Sequence, residues 1–88
     1  MDYVLFTYPD CQYCEEMKAY LKKTPCQGQE FSLVQKEGKM KIREFLSVIK
    51  RDEKGGIALP TLIVLAAGQP QGVFNRAEEL DRWLKSKA

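Results

Sequence analysis

Two cysteines separated by two residues offer the clearest chemistry in this sequence. Cys11 and Cys14 form a C-x-x-C spacing within the segment LFTYPDCQYC. Two thiols at this spacing can form and break an internal disulfide, which transfers two electrons. They could instead supply half of a zinc site, but the sequence offers only Cys26 and no histidine to complete it. The pattern therefore favours thiol–disulfide exchange over metal binding, and over two buried cysteines without a role.

The position of the pair predicts a different task for each sulfur. We expect a buried strand over residues 3–8 and a helix over 11–23, so that Cys11 is the first residue of the helix, just after the end of the strand. The free N–H groups and dipole of a helix N-terminus lower the pKa of a thiol placed there. Cys14 lies one turn further along, within reach of the Cys11 sulfur but less open to solvent. Cys11 is therefore the predicted nucleophile, and Cys14 the residue that resolves the mixed disulfide.

The rest of the chain predicts the elements that hold this site in place. Apolar periodicity and turn residues give a strand over 31–35, a helix over 40–50 with an apolar stripe of Ile42, Phe45, Leu46 and Ile49, and strands over 61–65 and 72–74. Asn75, with Glu78 in capping-box spacing, is predicted to begin a final helix whose buried face carries Leu80, Trp83 and Leu84. The order β-α-β-α-β-β-α predicts one α/β domain over residues 1–88, with a four-stranded mixed sheet and three helices.

Length and composition exclude several other classes of function. The 88 residues are 44% hydrophobic and 30% charged, which is typical of a single globular domain. The net charge of +2, spread along the chain, argues against a nucleic-acid surface, and no apolar run is long enough to span a bilayer. No basic region precedes the first apolar stretch, so we expect a cytoplasmic protein, and we expect it to be a monomer. The absence of histidine excludes imidazole-based acid–base catalysis.

A second motif, Leu59-Pro60-Thr61, stands directly before the third predicted strand. Proline cannot donate to a sheet, so its simplest role is to begin the strand. A cis Leu59–Pro60 bond is the sharper prediction, because a cis proline is rare and usually serves a purpose. Such a bond would turn the backbone N–H and C=O of Leu59 outward, towards an extended, peptide-like substrate.

Together these features resemble the glutaredoxins, within the thioredoxin-like fold, over nearly the whole chain. LFTYPDCQYC is similar to the strand and active-site segment of that family, and LPTLIV to its Thr-Val-Pro segment. The resemblance implies a thiol–disulfide oxidoreductase that uses glutathione as reductant and protein disulfides as substrates. We expect no metal, since the chain lacks the further ligands that a zinc site needs. The catalytic residues would be Cys11 and Cys14, and the substrate-binding residues Tyr8, Gln12, Tyr13, Leu59, Pro60, Asn75 and Arg76.

Several residues depart from the pattern of that family. Gln12 replaces the usual proline, and Tyr8 stands where a lysine usually holds a glutathione carboxylate. Asp10 places a negative charge directly before Cys11. Asn75-Arg76 is the closest match to the usual Gly-Gly, so that Arg76 is the predicted carboxylate ligand in place of the lysine.

These departures leave three alternatives open. A flavoprotein disulfide reductase could supply the electrons in place of glutathione. The chain could carry a [2Fe–2S] cluster on Cys11 and glutathione, since Gln12 removes the active-site proline. A redox-inert binding module is the third alternative, which the intact Cys11 and Cys14 disfavour. For Cys26 we predict no role.

Overall fold

The computed structural model describes residues 1–51 and 53–86, and it confirms the predicted order of elements. The strands are β1 (Asp2–Thr7), β2 (Gln27–Ser32), β3 (Thr61–Ala66) and β4 (Gln69–Phe74). The helices are α1 (Gln12–Leu21), α2 (Lys36–Lys41) and α3 (Ala77–Ser86), and a 3₁₀ turn over Ile42–Phe45 follows α2. In this part of the chain, no helix is long and apolar enough to cross a membrane.

The four strands form one mixed sheet in the order β2-β1-β3-β4. β1 runs parallel to β2 and antiparallel to β3, and β3 and β4 form an antiparallel hairpin. Ala67 and Gly68 make the tight turn of that hairpin, with positive φ angles of 52° and 78°. Because the turn takes only these two residues, β4 begins at Gln69, three residues earlier than the sequence predicts.

A hydrophobic core lies on each face of the sheet, because β1 and β3 are buried on both sides. Leu5 and Phe6 are neighbours in β1 and belong to opposite cores. The core beneath α1 and α3 contains Leu5, Met17, Leu21, Leu62, Val64 and Leu80, and Tyr3, Tyr20, Phe74, Ala77, Trp83 and Leu84 pack against it. The core beneath α2 and the 3₁₀ turn contains Val4, Phe6, Ile42, Phe45 and Ile63.

The prediction of β2 over 31–35 was wrong by several residues. The strand spans Gln27–Ser32, at an edge of the sheet, and its first four residues are exposed. Backbone pairing with β1, from Asp2 opposite Gln27 to Thr7 opposite Ser32, fixes its position. An edge strand needs few apolar side chains, so the apolar pattern marks only the end that packs on the core.

The prediction of one continuous helix over 40–50 was also wrong. α2 begins at Lys36, and Gly38 lies buried within it rather than in front of it. A Cβ atom at this glycine would collide with the backbone carbonyl of Ser32, so glycine is what lets the helix approach the end of β2. The chain then tightens into the 3₁₀ turn, which buries Ile42 and Phe45 but leaves Leu46 44% exposed.

Candidate active site

A disulfide joins Cys11 and Cys14 at the start of α1, with the two Cα atoms 5.2 Å apart. Cys11 is the N-cap residue and has an extended backbone, while Cys14 lies within the first turn of the helix. The backbone N–H of Cys14 donates to the Sγ atom of Cys11 across 3.1 Å. The helix therefore directs a hydrogen-bond donor at the sulfur of its own cap residue, where an anion is stabilised.

The two sulfur-bearing residues differ in burial. Cys14 is 2% exposed and packs inside the molecule, whereas Cys11 is only half-buried. Solvent and substrate therefore reach Cys11 first. This asymmetry agrees with the roles that the sequence predicts for the pair, although the roles themselves stay predictions.

The bond between Leu59 and Pro60 is cis, as the sequence predicts. Pro60 and Thr61 are fully buried, while Leu59 remains half-buried at the surface. The Thr61 hydroxyl donates back to the carbonyl of Ala58 and so closes the turn. We call residues 58–60 the cis-proline loop.

The side chain of Asn75 forms hydrogen bonds with the cis-proline loop on its buried side. Its Nδ2 atom donates to the carbonyl oxygens of Ala58 at 3.1 Å and Pro60 at 3.0 Å, and it lies 3.4 Å from Thr61 Oγ1. Asn75 is 9% exposed. A substrate-binding role for its side chain stays a prediction, since the bonds that the structure shows point into the protein.

Arg76 joins three segments at the surface. Its guanidinium carbon lies 3.8 Å from the centroid of the Tyr13 ring, in stacking geometry. Its Nη1 atom donates to the carbonyl oxygen of Leu59 at 3.2 Å and to that of Asn75 at 2.7 Å. One side chain therefore contacts α1 and the cis-proline loop together, which places the loop beside the disulfide segment. We call the surface that Tyr13 and Leu59 form with the Arg76 side chain between them the active-site groove.

Glu79 fixes the start of α3, which carries Arg76 just before its first residue. The Glu79 Oε1 atom accepts the backbone N–H groups of Asn75 at 2.7 Å and Arg76 at 3.1 Å. The hydrogen bond from Asn75 is the main reason why the pKa of Glu79 lies below its ordinary value. The sequence predicts this type of cap but assigns it to Glu78, because it places the first helical residue one position too early.

A cluster of charged side chains that the sequence does not predict lies beside Tyr8 and Asp10, the segment that leads into Cys11. Thr7 Oγ1 donates to Glu30 at 2.9 Å, and the Lys18 ammonium lies 3.0 Å from Glu15 and 3.6 Å from Glu30. The hydrogen bond with Glu15 is the largest cause of a raised pKa for Lys18. These residues line a cavity of about 290 Å³ together with Tyr8 and Asp10. Only the parallel pairing of β1 with β2 brings Glu30 here, so no local sequence pattern marks it.

The structure brings some of the predicted site residues together and leaves others apart. Tyr13, Leu59 and Arg76 meet at the active-site groove. Tyr8 is 50% exposed and lines the neighbouring cavity instead. Gln12, the first residue of α1, is exposed.

Cys26 is a half-buried free cysteine in the segment between α1 and β2. Within residues 1–51 and 53–86, no cluster of three or more potential ligand side chains could hold a metal ion.

Two solved structures share this architecture. One is described as a malarial protein; it superposes with a TM-score of 0.64 at 18% identity, over 97% of this chain and 93% of that chain. Thioredoxin 1 from the thermophilic eubacterium Thermosipho africanus TCF52B superposes with a TM-score of 0.63 at 16% identity, over 99% and 98% of the two chains. The fold is thioredoxin-like. No protein-family description and no curated protein sequence matches the chain.

A thioredoxin-like fold with a C-x-x-C disulfide at the start of α1 suggests thiol–disulfide oxidoreductase activity. The structural likeness, at under a fifth identity, establishes the thioredoxin-like fold alone. The chemistry must therefore be argued from the cysteines and from the groove beside them.

Proposed function

We propose that this protein is a dithiol thiol–disulfide oxidoreductase in which Cys11 attacks the substrate and Cys14 resolves the product. The observation that carries the proposal is the unequal burial of two cysteines that already share a disulfide at a helix N-terminus. Cys11 is accessible and accepts a hydrogen bond from the Cys14 N–H, while the Cys14 sulfur is shielded. A mixed disulfide would therefore form on Cys11.

The reaction takes two exchange steps. The Cys11 thiolate attacks a substrate disulfide, a new S–S bond forms at Cys11, and one substrate sulfur leaves as a thiolate that takes up a proton. The Cys14 thiolate then attacks the Cys11 sulfur, and the second substrate sulfur leaves in the same way. The substrate gains two electrons and two protons, and the protein ends with the Cys11–Cys14 disulfide.

Glutathione is the reductant that we propose for the next cycle. Two glutathione thiols would reduce the Cys11–Cys14 disulfide and leave as oxidised glutathione, so the electrons balance. Arg76 supports this choice, because its guanidinium lies between Tyr13 and Leu59, where a glutathione carboxylate could pair with it. A flavoprotein disulfide reductase is the competing donor.

Intact-mass measurement tests the proposal. A Cys26→Ser background leaves Cys11 and Cys14 as the only cysteines, and a Cys14→Ser variant in that background traps the first step. After incubation with oxidised glutathione, the trapped variant should gain one glutathione on Cys11, and the reduced background protein should instead lose two hydrogen atoms to form the internal disulfide. A Cys11→Ser variant is the matched control and should gain none.

The outcomes separate the chemistry from the choice of reductant. If no form reacts with oxidised glutathione, yet a flavoprotein disulfide reductase reduces the oxidised protein, the dithiol chemistry stands and glutathione is not the reductant. If neither oxidised glutathione nor any small-molecule or peptide disulfide reacts with reduced Cys11, the proposed function is wrong.

A further inference from the structure

The cavity of about 290 Å³ beside the segment that leads into Cys11 has an apolar wall. Tyr8, Pro9 and Val34 form this wall, and Tyr8 and Val34 are 50% and 48% exposed. Asp10, the residue directly before Cys11, is exposed and lines the same cavity. We call this space the Tyr8 cavity. Apolar side chains that are grouped and exposed beside a reactive cysteine form a surface that a substrate can cover.

The charges that line the Tyr8 cavity do not cancel. Its one lysine, Lys18, pairs with Glu15 at 3.0 Å and with Glu30 at 3.6 Å. Among the described residues, none forms an ion pair with Asp10. Three carboxylates and one ammonium leave two negative charges at neutral pH, whereas the whole chain carries a net charge of +2. The cavity is therefore a negative region on a molecule that is positive overall.

An apolar wall beside unbalanced carboxylates is complementary to a long basic side chain. The methylene stem of lysine or arginine packs on apolar surface, while its charged end stays near water and acidic groups. The exposed face of the Tyr8 ring also attracts a cation. An acidic side chain would be repelled by Asp10 and Glu30, and an aliphatic one would leave the carboxylates without a partner.

We infer that the Tyr8 cavity is a subsite for a lysine or arginine side chain of the substrate, close to the cysteine whose disulfide Cys11 attacks. This inference rests on the proposed function and deepens it, because it names a class of substrate. A mixed disulfide on Cys11 holds the substrate cysteine one residue from Asp10, so a neighbouring lysine can reach the cavity. The basic side chain takes no part in the exchange of sulfur bonds; it favours the encounter and its orientation.

Two symmetric peptide disulfides test the subsite. Each joins two copies of a peptide with a single cysteine, flanked by lysine in one peptide and by norleucine in the other. Norleucine has the same stem without the charge. Each disulfide oxidises the reduced protein in a Cys26→Ser background, two peptide thiols are released for each internal disulfide formed, and chromatography after acid quenching gives a second-order rate constant.

The ratio of the lysine rate to the norleucine rate measures the preference for charge. Dividing it by the same ratio for dithiothreitol, which is uncharged, removes the difference in intrinsic reactivity between the two disulfides. The net charge of +2 on the protein disfavours the lysine peptide, so a corrected ratio above one requires a local cause. We expect a corrected ratio of about four.

Four variants locate the cause of the preference. Asp10→Asn and Glu30→Gln each remove one carboxylate and keep its shape, so each should lower the corrected ratio about twofold. Asp10→Asn also makes Cys11 more reactive towards both peptides, which the ratio removes. Glu37→Gln makes the same change at an exposed position of α2 and should leave the ratio unaltered. Tyr8→Ser removes the ring and should slow both peptides by about threefold. Urea unfolding shows whether each variant is folded.

Several results would overturn the inference. A corrected ratio near one, or a ratio that neither Asp10→Asn nor Glu30→Gln lowers, would show that the cavity does not select a basic side chain, although the exchange chemistry stands. A faster norleucine peptide would assign the cavity to an apolar side chain instead. If Glu37→Gln lowers the ratio equally, the preference reflects net charge. If the unsubstituted cavity reacts with neither peptide, the proposed function itself fails, and this is seen before any variant is made.

Discussion

The hydroxyl of Tyr20 donates a hydrogen bond of 2.8 Å to Oδ1 of Asp81 and so ties α1 to α3. α1 carries the cysteines, and Arg76 lies at the entry to α3, so this bond helps to set the distance across which Arg76 reaches Tyr13. Asp81 also pairs with Lys85 at 2.9 Å, one turn further along α3. The bond is thus part of a chain of polar contacts along the outer side of the two helices.

Tyr20→Phe should lower the free energy of unfolding by about 1 kcal/mol, because it removes one partly buried hydrogen bond without changing the shape of the ring. Urea unfolding monitored by the fluorescence of Trp83 measures the change. Tyr8→Phe is the matched control, since that ring is half exposed and lies outside the α1–α3 contact. Equal effects of the two substitutions would contradict a specific role for the bond to Asp81.

Glu79 should make the stability of the protein depend on pH under acidic conditions. Its pKa in the folded protein lies below the ordinary value of 4.5, chiefly because the Asn75 N–H bonds to the carboxylate. A lowered folded-state pKa means that this stabilisation is complete above pH 4.5 and is lost as the pH falls through the folded-state pKa. Glu79→Gln should therefore cost about 1 kcal/mol at pH 7, and the difference from the unsubstituted protein should shrink with acidification.

Urea unfolding at a series of pH values between 7 and 3 measures this dependence. Glu78→Gln serves as the control, because Glu78 lies exposed in the same first turn of α3. Its side chain lines a cavity between α1 and α3 that is separate from the active-site groove. A difference between the Glu79→Gln and unsubstituted proteins that stays constant over the whole range would contradict the assignment of Glu79 as the cap.

Asn75→Asp should destabilise the protein by about 1–3 kcal/mol, because it replaces a buried donor with an oxygen that faces the carbonyls of Ala58 and Pro60. The cis-proline loop should also loosen. The rate of disulfide exchange should therefore fall by more than the fraction of unfolded molecules can explain. Gln71→Glu is the control, since it makes the same amide-to-acid change at an exposed hydrogen bond. Measurement of both unfolding and exchange rates in urea-free buffer separates the two effects.

Asp10 should slow the reaction of Cys11 with electrophiles. The residue has a positive φ of 56°, which Asn tolerates as well as Asp, so Asp10→Asn changes the charge with little change in backbone. The loss of a negative charge beside the thiolate should accelerate alkylation of the reduced protein at neutral pH by about threefold. Iodoacetamide kinetics in a Cys26→Ser background give the rate, and Glu37→Gln, an exposed change on α2, should leave it unaltered.

The sequence was sufficient to predict the strand-to-helix position of Cys11, since that depends on local residue types. It offered the cis bond at Pro60 only as one of two interpretations, because tertiary contacts decide the isomer of a proline bond in an ordered loop. The sequence was not sufficient to place an element whose bounds depend on contacts with residues distant in the chain. β2 is fixed by pairing with β1, and Gly38 enters α2 because the helix must approach Ser32. Arg76 was predicted to be a ligand for a carboxylate, but its contact with Leu59 requires the loop and α3 to be placed in space.

The two cores on opposite faces of the sheet support different elements of the molecule. α1 and α3, with the cysteines, pack on one face, while α2 and the 3₁₀ turn cover the other, where Leu59 of the cis-proline loop also packs. Substitutions that repack Phe45 or Ile42 should therefore lower the stability of the fold, and any effect on the reactivity towards disulfides should pass through Leu59. For an engineer, the exposed positions of the α2 layer, but not Gly38, are the place to change the sequence with least effect on the cysteines, and the layer of α1 and α3 is the place to change what the protein recognises.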